Sequence, residues 1–83
     1  MTNDEFIAFI APLEKMIFNI ARRYTLNAED AKDTAQDSII KMYEYLRKPG
    51  NGIKASKAWA ARVTVNAAID GLRKRKARPI RTT

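Results

Sequence analysis

Apolar residues recur along the first part of the chain in steps of three or four, at Phe6, Ile10, Leu13, Ile17, Ile20 and Tyr24. That spacing is the stripe of an amphipathic helix, predicted over about 3–24, and nowhere does the chain alternate in twos as a half-buried strand requires. Pro12 interrupts the stripe. It has no backbone donor and clashes with the carbonyl four residues earlier, which predicts a kink or a fresh helix start. A second helix is predicted over about 28–47, with Asn27 as its N-cap and Glu29 and Asp30 at the positive end of its dipole. Steps of 100° gather Ala28, Ala31, Ala35, Ile39, Met42 and Leu46 into one narrow core stripe, whose alanines permit a close helix approach. Opposite runs a charged line of Asp30, Asp33, Asp37, Lys41 and Glu44, while Gln36, Ile40 and Tyr43 also fall outside the core arc.

One proline and two of the three glycines fall within KPGNGIKA, so a loop is predicted over 48–56. Ser56 caps a third helix over about 57–75, which sends Ala58, Ala61, Val65, Ala68, Ile69 and Leu72 to the core. Its other side stacks Trp59, Arg62, Asn66, Asp70 and Arg73. The pattern as a whole predicts an all-α fold, a compact bundle of three main helices forming a single domain over 1–83, with a basic tail at 76–83.

Composition narrows the chemistry. The 83 residues include neither cysteine nor histidine. Disulfides, thiolate nucleophiles, imidazole bases and nearly every zinc, copper or haem site are thereby excluded, so no catalytic residue, metal or cofactor is expected. No apolar run reaches the roughly 18 residues that span a bilayer, and the N-terminus is acidic where a signal peptide is basic, which places the chain in the cytoplasm.

Charge is divided by position. Residues 1–46 hold five basic and eight acidic side chains, net −3. Residues 47–83 hold eleven basic ones against Asp70 alone, net +10, and six of the eleven crowd between Arg73 and Arg81. The total of +7 therefore joins two halves of opposite sign, which points to two faces with two partners. A line of charge is most often a solvated face, and a basic run is often only a solvated tail. Ile40, beside the acidic line, fits the first description badly. A helix face of Trp, Asn and Arg, where Lys and Glu are usual, offers groups that stack on or hydrogen-bond to nucleobases; the alternative is that Trp59 packs on a neighbouring helix.

The strings NAEDAKDTAQDSIIKMYEYL and KAWAARVTVNAAIDGLRKRK, in that order with a loop between them, resemble region 2 of bacterial sigma factors of the compact group-four, extracytoplasmic-function type. Ala31, Asp33, Gln36 and Asp37 match the acidic part of the pattern, and Trp59, Arg62, Asn66, Ile69, Asp70 and Arg73 match the tryptophan-led helix. Lys32 and Thr34 stand where the pattern is usually acidic and aliphatic. The resemblance implies a subunit of RNA polymerase that directs promoter recognition. It assigns docking on the β′ clamp helices of core polymerase to Asp33, Gln36, Asp37 and Ile40. Capture of a flipped non-template base of the minus-ten element falls on the segment from Pro49 to Lys57, with Asn51, Gly52, Ile53 and Lys54, and on Asn66 beneath it. Contacts to strands and phosphates fall on Lys54, Lys57, Arg62 and the run Arg73, Lys74, Arg75, Lys76 and Arg78. An anti-sigma factor is a further partner that the resemblance allows. Two other readings stay open from the residues alone: a polymerase-binding modulator without promoter preference, and a nonspecific basic nucleic-acid binder.

Overall fold

A computed structural model describes the backbone of residues 1–77 and the side chains of 1–74. Its helices are α1 (Asn3–Ile10), α2 (Glu14–Arg23), α3 (Ala28–Leu46) and α4 (Lys57–Ala77), with single 3-10 turns at Ala11–Leu13 and Asn51–Lys54. The predicted first helix is therefore split at Pro12, which sits in the first 3-10 turn where its missing donor leaves no bond broken. Helices α2, α3 and α4 each pack on the other two, and α1 lies against α3. No strand occurs among the described residues.

Local signals set the helix starts. Thr2 and Glu5 form a capping box at α1: the Glu5 carboxylate accepts from the Thr2 amide at 2.8 Å and the Thr2 hydroxyl accepts from the Glu5 amide at 3.2 Å. Asn27 caps α3 by accepting from the Asp30 amide at 2.8 Å, and Ser56 accepts from the Trp59 amide at 3.1 Å in the first turn of α4.

The core is built from Phe6, Ile10, Leu13, Ile17, Ala21, Ala31, Ala35, Met42, Leu46 and Ala60. Tyr43 fastens α1 to it, meeting Phe6 edge-on at 5.2 Å between ring centres and donating from its hydroxyl to Asn3 at 2.7 Å. Two core faces differ from their sequence expectation. On α3, Ala28 is exposed and Ile39 half-buried, whereas Thr34 and Ser38 are buried. Ser38 donates back to the Ala35 carbonyl at 2.8 Å, so a small hydroxyl enters the interface already satisfied. Thr34, one of the two departures from the family pattern, is thus a packing position. On α4 the buried residues are Ala60, Thr64, Ala67 and Ala68, with Ala58 exposed and Ala61, Val65, Ile69 and Leu72 half-buried. The helix is rotated by about 100°, one residue step, from the predicted stripe. Alanines and Thr64, which bonds back to the Ala60 carbonyl at 2.8 Å, let α4 approach α2 and α3 closely, and the larger aliphatics flank the seam.

The capping box makes α1 sensitive to acid. The bond from the Thr2 backbone amide, then its side chain, holds the fully exposed Glu5 carboxyl below its ordinary value of 4.5. A lowered folded value means that the cap's contribution is complete above the unfolded value and is lost as pH falls through the folded one. An NMR titration of the Glu5 carboxyl carbon should have its midpoint below 4.5 and be accompanied by fraying of α1; a midpoint at or above 4.5 contradicts the cap.

Candidate functional site

Helix α3 presents Asp33, Gln36, Asp37 and Ile40 to solvent. At 100° per residue they share an arc of about 100°, and from Asp33 to Ile40 they cover about 10 Å of helix axis. Ile40 is 54% exposed among these carboxylates, an apolar side chain with a polar rim. Lys32 is exposed as well.

At the C-terminal end of α3 the chain turns through Gly50, whose φ of +86° lies in the left-handed region that an L side chain enters only with strain. The last α3 carbonyls, which have no partner within the helix, are taken up from outside it. The Asn51 side-chain amide donates to the Tyr45 carbonyl at 3.0 Å, and the Met1 ammonium donates to that of Leu46 at 3.1 Å. Asn51 thus holds the loop onto the helix end, a structural duty beside the base contact assigned to it. Ile53 and Lys54 project outward, with Ile53 89% exposed. Trp59 is half-buried, its ring 5.5 Å from that of Tyr45 and tilted by 35°, which is the packing reading of this residue. Tyr45 escaped the sequence reading because one tyrosine off a core stripe carries no signal of its own.

Arg62, Asn66, Asp70, Arg73 and Lys74 are exposed on α4, as is Lys57 at its start. Asn66 lies nine residues beyond Lys57, about 14 Å of helix rise away. The cavity at the loop, about 480 Å³, is lined by Met1, Glu5, Gly50, Gly52 and Ile53, and Asn66 is not among these. The structure therefore brings the loop to the start of α1. Arg75 and Lys76 fall on α4 without a described side chain, and Arg78 and the rest of the tail lie outside the described residues.

The two faces share an edge. Lys41, bordering the acidic arc, pairs with Asp70 of α4 at 3.7 Å, both about half exposed. Asp70 thus faces α3. An exposed pair of this kind contributes little to stability, but it marks the seam where the acidic surface meets the basic one.

The family described as Sigma-70 region 2 matches residues 9–78. The chain belongs to the sigma-70 region 2 family. The match takes in all of α2 and α3, the loop, and α4. No solved structure matches the chain. Sigma-70 region 2 is a unit of transcription initiation, concerned in general with RNA polymerase binding and minus-ten element recognition. No described helix of the region 2 domain is long and apolar enough to cross a membrane.

Proposed function

We propose that the domain docks on the β′ clamp helices of core RNA polymerase through Asp33, Gln36, Asp37 and Ile40, and that the docked domain holds the non-template strand of a melted minus-ten element with its loop and α4, in the manner of the group-four sigma factors. The observation that carries this reading is Ile40. A half-exposed isoleucine ringed by carboxylates and an amide is the anatomy of a small interface, with an apolar centre to be desolvated and a polar rim to set orientation. The neighbouring basic face supplies the second contact.

The two parts of the DNA contact do different work. Lys54, Lys57, Arg62, Arg73 and Lys74 release counterions from phosphates without regard to sequence, so binding weakens as salt rises. Sequence preference falls to the loop and Asn66, whose amide is able to donate and accept at a base edge. A flipped base has already lost stacking and pairing, and a pocket that hydrogen-bonds it recovers part of that loss. An anti-sigma factor would compete for the same exposed faces.

Asn66→Ala tests the division. With core polymerase present, the ratio of affinities for preferred and scrambled minus-ten strands should fall by about ten-fold, with docking on core unchanged. Equal loss on every strand would place Asn66 among the nonspecific contacts.

A further inference from the structure

Tyr45, Arg47 and Lys48, at the C-terminal end of α3, belong to neither surface described so far. With Glu44 they line an open depression of about 510 Å³. Tyr45 is 38% exposed there, and among the described residues it alone of the exposed large apolar side chains is aromatic. Its place is fixed from two sides. The backbone carbonyl accepts from the Asn51 side-chain amide at 3.0 Å and from the Lys48 amide at 3.4 Å, so the loop is fastened to this residue. The ring lies 5.5 Å from that of Trp59, tilted by 35°, within the range of attractive aromatic pairs. Trp59 thus backs a side chain with only two torsions to order, and stacking a further flat group on it costs little entropy.

The surroundings select that flat group. Arg47 opens the basic half of the chain, and both it and Lys48 are exposed, while Glu44 supplies the one carboxylate of the lining. Two cations against one anion attract a phosphate backbone and set no base preference. An exposed aromatic ring flanked by cations is the combination that holds unpaired nucleic acid: the π face takes any base and the cations follow the phosphates. The patch is also continuous with the DNA face of α4, since Trp59 heads the stripe that carries Arg62 and Asn66.

We propose that Tyr45 is a stacking platform for one unpaired base of single-stranded DNA, with Arg47 and Lys48 on the adjoining phosphates. The proposal rests on the DNA contact proposed above and lengthens its track from the loop and α4 onto the end of α3. The stack is indifferent to base identity, so it adds affinity and leaves sequence preference with the loop and Asn66.

The test uses the 83-residue chain bound to core polymerase and short non-template strands, each lacking the base at one successive position, with affinity read by fluorescence anisotropy. In the wild type, removing the base that sits on Tyr45 should weaken binding about ten-fold, and exchanging it for any other base should change affinity by less than about three-fold. Tyr45→Leu keeps an apolar cover on Trp59. It should lose about ten-fold on the intact strand and nothing further on the strand lacking that base, while Tyr45→Phe keeps the wild-type pattern. A fluorescent purine analogue at that position should be quenched by the wild type and by Tyr45→Phe, and bright with Tyr45→Leu. Arg47→Gln and Lys48→Gln should each lower the slope of log affinity against log salt by about one. A thermal melt verifies the fold of each variant, and the salt slopes test the site without touching the ring. Equal affinity of wild type and Tyr45→Leu overturns the platform, as do a loss spread evenly over every strand and unchanged salt slopes. Weaker docking of Tyr45→Leu on core polymerase without DNA overturns it in favour of a polymerase contact. A wild type that binds no strand overturns the DNA contact as well.

Discussion

Ile40→Arg is expected to weaken binding of the domain to core RNA polymerase by about thirty-fold, or ~2 kcal/mol. Ile40 is the only large apolar side chain on the exposed acidic arc of α3, and at 54% exposure it has surface still to bury against a partner. Contact energy at interfaces concentrates in such central apolar residues, with the polar rim excluding water and fixing register. Arginine removes the apolar contact and reverses the local charge toward any partner that suits Asp33 and Asp37. Because Ile40 lies outside the core, thermal stability should move by no more than about 0.5 kcal/mol, which separates a docking defect from a folding one. Titration of labelled domain with core polymerase measures the first quantity and a thermal melt the second. Unchanged affinity would remove α3 from the interface.

The largest stability effect is expected at Ile17→Ala. Ile17 is fully buried where α2 meets α3 and α4, and removing three carbons there leaves a cavity that the close helices do not fill by collapse. The loss is about 3–4 kcal/mol by comparison with other buried aliphatics. A domain of this length holds only about 4–12 kcal/mol in all, so a large share of its stability goes with one side chain. In far-UV circular dichroism the melting temperature should fall by about 15–25 °C. A drop under about 5 °C would mean that Ile17 is not a central packing residue.

The helices and their breaks were legible because they rest on local chemistry. Pro12, the Asn27 and Ser56 caps, and the glycines of the loop act within a few residues, and each does in the structure what its neighbours imply. The α3 face was readable for a similar reason: Ala31, Ala35, Met42 and Leu46 contrast sharply with Asp33, Asp37 and Glu44, so one phase of the helix fits the pattern. Helix α4 lacked that contrast. Alanine and valine occur around much of its circumference, so the buried face is decided by how closely α2 and α3 approach, which favours Ala60, Ala67 and the self-bonded Thr64 over the bulkier Val65 and Ile69. Burial of Ser38 was hidden in the same way, since hydropathy does not register a hydroxyl satisfied by its own helix.

The site divides along the same line. Residues one helix exposes together, such as Asp33 with Ile40 or Arg62 with Asn66, are visible from spacing alone. Juxtapositions across elements are not. The seam between Lys41 and Asp70, the contact of Tyr45 with Trp59, and the meeting of Glu5 with Gly50 and Gly52 each join positions far apart in the chain, and only the packed bundle brings them together.

The central claim is that one domain couples polymerase docking on α3 to base recognition by the loop and α4. Fluorescence anisotropy of labelled non-template minus-ten strands, with core polymerase alone, with domain alone, and with both, tests it most directly. The account predicts sequence-preferring binding that requires both components and is lost with Ile40→Arg. Equal binding of every strand by the domain, unaffected by core polymerase and by that substitution, would contradict it.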